Sequence, residues 1–139
     1  MENKLNHLQM IQGIINRMAS NSFALKGWAV TIIAGIFVLA GKNTDKSYFF
    51  ISYLPIVVFW GLDSYYLCQE RLYRALYDKV RLLPEEKIDF SMKASPKEFS
   101  KPSCTFINSA LSKTELFFYL PLAVVSTGII TIAWLSAIS

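Results

Sequence analysis

Apolar residues in this chain gather into three blocks separated by polar stretches. The middle block changes character along its length. From Lys46 to Leu83, KSYFFISYLPIVVFWGLDSYYLCQERLYRALYDKVRLL opens as a hydrophobic segment and closes as a charged amphipathic one, with no Gly-Pro break at the join. Nothing is charged from Ser47 to Leu62, and Asp63 is the only charge before Glu70. This pattern predicts a helix that crosses a bilayer over 48–67 and continues over 68–83 as a stalk outside it. Leu72, Leu76 and Val80 form the stalk's packing stripe, and Pro84 ends it.

Upstream, residues 3–24 read as an amphipathic helix, because Leu5, Leu8, Ile11, Ile15 and Met18 recur at spacings of three and four. A helix lying on a membrane surface carries many Lys or Arg on its polar face. This one carries amides instead, which favours packing against the stalk. A first span follows over 25–41, with Gly27–Gly41 its strictly uncharged part. Fifteen residues rise only about 22 Å against a core of about 30 Å. Lys26 and Lys42 make up the difference by reaching toward the two interfaces. Gly27, Thr31 and Gly35 stand four apart, a small-residue face suited to helix contacts in an oligomer. Pro55 predicts a kink or a wide end in the second span. The third span, 116–138, carries no charge, and its small polar face includes Thr127 and Thr131, candidates to line a pore.

The connection 84–113 is proline-, serine- and lysine-rich, so it reads as an irregular loop, with a short strand at Ile88–Met92 and a helix start within 105–113. It nevertheless holds Phe90, Phe99 and Phe106, more aromatic content than a disordered linker carries.

Composition sharpens this picture. The chain has 139 residues, room for one domain, and only 17% are charged, below the quarter usual in soluble domains. The fold class is therefore an all-α integral membrane protein: three transmembrane helices, a helical layer on one side, and a short irregular segment. Twelve of the fourteen Lys and Arg flank one side of the spans, and only Lys42 and Lys46 flank the other. The positive-inside rule puts the N-terminus and 68–113 in the cytoplasm and the C-terminus outside. Asp63 then lies near the cytoplasmic interface. Two readings of it compete: a functional intramembrane acid, or an interfacial ion pair with Lys26.

Few chemistries survive this inventory. His7, the single histidine, reads as a solvated side chain, and Cys68 and Cys104 as free thiols. One His and two Cys far apart in sequence give no metal-ligand spacing, no nucleophile–base set and no cofactor motif. Acids interleave with bases through the polar connection, which argues against nucleic acid. The sequence predicts no enzyme, no cofactor and no metal.

Two long motifs, INRMASNSFALKGW (15–28) and FWGLDSYYLCQERLYRALYDKVR (59–81), together with DFSM (89–92) and SKTELFFYLPL (112–122), resemble the RipA-type octameric membrane proteins. These are ring-interacting pores of prophage-encoded antiphage defence. The resemblance implies a homo-oligomer, an octamer, in the bacterial inner membrane. It implies a cytoplasmic trigger, a ring of phage structural protein, and a pore that kills the cell by abortive infection. Independently, three helices enclose no lumen, so a conducting path needs several subunits arranged as a closed ring. The competing readings are a non-conducting membrane anchor that recruits a soluble cytoplasmic partner, and a small transporter or membrane enzyme. The last requires more buried ionisable groups than the sequence offers.

Overall fold

A computed structural model describes residues 1–43, 45–100 and 104–139, and every regular element in them is helical. The first, α1, runs without interruption from Glu2 to Gly41, about 60 Å of helix. The amphipathic segment 3–24 and the first span are thus one rod. No proline occurs in it, and an isolated glycine such as Gly27 costs only about 1 kcal/mol relative to Ala, so nothing at the join stops the helix. Beyond Gly41, the side chain of Asn43 caps it by donating to the Leu39 carbonyl at 3.1 Å.

The second span begins differently from its expected form. Lys46–Ser52 is a 3₁₀ helix, and the α-helix α2 starts only at Tyr53 and ends at Leu82. Pro55 accounts for the change. Its ring would meet the carbonyl four residues earlier if the α-helix extended upstream, whereas in the first turn its missing N–H costs nothing. Pro55 therefore marks where the α-helix begins. Asp45 caps the 3₁₀ segment by accepting from the Ser47 amide at 2.9 Å. From Tyr53 onward the chain passes from span to stalk in one unbroken helix.

α1 and α2 pack antiparallel along their length. Lys4 Nζ donates to the carbonyls of Arg81 and Leu83, at 2.9 and 2.7 Å, and so caps the C-terminal end of α2. Ile11 and Ile15 meet Leu76 and Val80, while Ala29 and Ile33 meet Ile56. Two cores result, one in the polar layer and one between the spans. The polar-layer core fully buries Leu72 beside Cys68, Ala75 and Cys104; burial of one such leucine contributes about 1.5–3 kcal/mol.

The connection after Leu82 is more ordered than a linker. Ile88 is buried against Ile11, Ile15, Leu76 and Val80, with Met92, Ala94 and Phe99 packed around it. The strand expected at Ile88–Met92 does not form, since no neighbouring extended segment pairs with it among the described residues. Instead, Asp89 accepts from the Ser91 amide in a turn and Phe90 adopts a positive φ of 55°. Near 105–113 a short helix, α3 (Phe106–Ala110), is capped by Thr105 and stops. The chain restarts as α4, Lys113–Ile138, three residues before the expected span.

α1, the Lys46–Leu82 helix and α4 are each long and apolar enough to cross a membrane. Phe23, Trp28, Val38, Leu54, Phe117, Val124 and Ile132 point outward and exposed from them, as lipid-facing positions do.

Candidate functional site

Where the three long helices meet, each inserts polar side chains into an otherwise apolar interior. α1 supplies Ser22 and Lys26, one turn apart. α2 supplies Asp63, and α4 supplies Glu115 and Tyr119, again one turn apart. Asp63 is wholly buried and uses both oxygens: Ser22 Oγ donates to Oδ1, and Lys26 Nζ and the Tyr119 hydroxyl (3.0 Å) donate to Oδ2. Lys26 Nζ also reaches Glu115 Oε1 and Ser22 Oγ, both at 3.1 Å. One ammonium thus bridges two carboxylates from two other helices. Aromatic rings close the cluster: Tyr119 stacks on Trp60 with centroids 6.0 Å apart and planes 6° from parallel. Trp60 in turn donates to the Ala110 carbonyl at 3.0 Å, tying α3 to the cluster.

Depth follows from helix geometry. Lys26 precedes Lys42 by sixteen residues, about 24 Å. A hydrocarbon core of about 30 Å measured from the Lys42 end extends past Lys26 by about 6 Å. The cluster therefore lies at the polar-layer end of the spans, with Asp63 and Glu115 buried among the helices that form it. Groups at that depth stay only when paired, and here the pairing holds three helices together.

The structure brings Lys26 and Asp63 together and adds Glu115, which the sequence reading left between the loop (84–113) and the third span (116–138). A signal for it exists. Ser112 and Glu115 have the spacing of a capping box, which announces a helix start at Lys113. Ser112 does accept from the Glu115 amide, but the Glu115 side chain turns to Lys26 instead of back to the cap.

The other residues singled out by sequence lie apart from this cluster. Gly27, Thr31 and Gly35 are exposed on α1, and a Cβ added at either glycine meets nothing within 4 Å. Thr31 spends its hydroxyl on the Gly27 carbonyl at 2.9 Å. Thr127 and Thr131 are exposed on α4 and donate to the Ala123 and Thr127 carbonyls, both at 2.8 Å. With Phe50, Tyr53 and Trp134 they line an open groove. Leu72, Leu76 and Val80 are buried in the polar layer.

Two minor readings change. His7 is not solvated: it is 1% exposed, its ring lies edge-on to Phe90 at 5.5 Å, and neither ring nitrogen has a hydrogen-bond partner. The fold of 88–92 over α1 covers it, which helix periodicity alone does not register. Cys68 and Cys104 are free thiols brought close by folding, and Cys68 Sγ donates to the Cys104 carbonyl at 3.1 Å. Outside the spans, hydrogen bonds from Ser47 hold the Asp45 carboxyl below its usual range. The carboxylate of Glu98 raises the Lys79 ammonium above its own.

Comparison with protein-family models, curated proteins and solved structures gives no match to this chain.

Proposed function

We propose that this protein is a subunit of a pore-forming membrane effector in bacterial antiphage defence. It acts as a homo-oligomer in the inner membrane, with its helical layer in the cytoplasm. The observation that carries the reading is the division of polar groups in the spans. Charged groups are locked in the interior of the protomer at Lys26, Asp63 and Glu115. The small and hydroxyl-bearing positions Gly27, Thr31, Gly35 and Thr131 face outward, as does Thr127, whose hydroxyl also meets that of Tyr53 on α2 at 2.7 Å. A protomer built this way has no lumen of its own and leaves free two faces through which copies can associate and line a path. The likeness of its motifs to RipA-type proteins supplies the biological setting and the octameric count. The same likeness makes a ring of phage structural protein the trigger. The polar layer formed by α1, the α2 stalk and residues 84–100 is the surface offered to it.

Dye-loaded liposomes test the reading directly. Reconstituted protein releases dye when a phage ring protein is added to the cytoplasmic face, and vesicles without the chain stay sealed. No release with any ring protein, from vesicles in which the oligomer is demonstrably assembled, removes the pore. A second reading, a non-conducting anchor for a soluble partner, draws support from the packing of Ile88, Met92 and Phe99 onto the stalk, which makes residues 84–100 a shaped surface. It predicts binding of a cytoplasmic protein with membrane potential unchanged.

A further inference from the structure

The cluster between α1, α2 and α4 does not balance its charges. One ammonium, Lys26, faces two carboxylates, Asp63 and Glu115, and both acids are fully buried. Among the described residues, the other titratable group facing them is the hydroxyl of Tyr119 from α4, already donated to Asp63. α3 reaches the cluster's rim only through the Ala110 carbonyl, which is taken by Trp60. Lys113 is exposed and lies two residues from Glu115 on α4, a spacing that does not share a face. Arg71 lies eight residues along α2 from Asp63, about 12 Å away. With all three groups charged, the site would hold one uncompensated negative charge in a fully buried interior, where an unpaired ion costs several kcal/mol.

One atom marks where the compensation goes. Glu115 Oε2 is buried and has no hydrogen-bond partner, while Glu115 Oε1 and both oxygens of Asp63 are occupied. A metal cation needs several open oxygens, and a single open oxygen meets the requirement of a proton. We propose that the Asp63–Glu115 pair is a proton-binding site: at neutral pH it carries one exchangeable proton, seated on Glu115 Oε2, and the cluster is electrically neutral. Releasing it breaks one O–H bond. The electron pair stays on Glu115, the proton passes to hydroxide to give water, and the cluster is left at minus one. The proton thereby controls how firmly α4 is held against α1 and α2, and the site needs no assumption about a pore.

Infrared spectroscopy of the full-length protein in liposomes tests this. Wild type shows a protonated-carboxyl stretch at neutral pH, shifted in heavy water, that converts to carboxylate bands as pH rises. Glu115→Gln abolishes it. Asp63→Asn also abolishes it, because one carboxylate against one ammonium needs no proton. The melting temperature of wild type falls as pH rises through neutrality, since the folded state holds a proton that the unfolded chain releases, and in Glu115→Gln that fall around neutral pH is absent. Absence of the band in wild type at neutral pH overturns the proposal, as does its survival in Glu115→Gln. A melting temperature that depends on sodium at fixed pH also overturns it, by assigning the site to a metal cation. Should Glu115→Gln fail to fold, the wild-type titration and Asp63→Asn decide the question without it.

Discussion

At the scale of single residues, Lys26 has the most to do. Its four-carbon stem starts at the edge of the first span and its ammonium reaches acids on both other spans. Removing it leaves two buried acids without their cation. Lys26→Met is expected to cost about 3–5 kcal/mol, read as earlier unfolding in detergent. The triple variant Lys26→Met/Asp63→Asn/Glu115→Gln recovers most of that loss, because deleting all three charges leaves no stranded ion. Lys26 and Asp63 could be matched in the sequence by counting residues from the span ends. Glu115 could not be placed the same way, because its own span was drawn to start after it. His7 was hidden for another reason: what buries it is Phe90, more than eighty residues away in the sequence, in a segment without helical periodicity.

At the scale of elements, the hydrophobic blocks identified the spans, and the charge switch after Leu62 identified the stalk. Their ends were less visible, because end positions depend on backbone chemistry. The 3₁₀ start of the second span follows from Pro55, and the early start of α4 from Ser112. The polar layer depends on burial, so Leu72→Ala, at a fully enclosed site, is expected to cost about 2–5 kcal/mol. Arg74→Ala, which breaks an exposed i, i+4 pair with Glu70, stays within about 0.5 kcal/mol; chemical unfolding of both variants side by side checks the contrast. The turn before the second span is sensitive to acid. Because Ser47 lowers the Asp45 pKa in the folded chain, the cap's contribution is present above the ordinary Asp value and is lost as pH falls through the lowered one. Asp45→Asn removes that dependence, and amide exchange at Ser47 followed from neutral pH into acid reads it.

At the scale of the whole molecule, the single chain is packed inside and open outside. Gly35 shows the difference. A Cβ there meets nothing within 4 Å in the chain, so Gly35→Leu leaves the isolated chain's helix content and melting unchanged. If the Gly27/Thr31/Gly35 face joins subunits, the same variant disperses the oligomer on native gels, and an unchanged assembly excludes that face. The length of α1 matters at this scale too. A rod of about 60 Å that belongs to both the polar layer and the bilayer has no joint at which movement could be absorbed. Tilting its Glu2 end by about 5° swings the Gly41 end by about 5 Å. Whatever leans on the near end of this lever therefore moves the far side of the membrane in the same stroke.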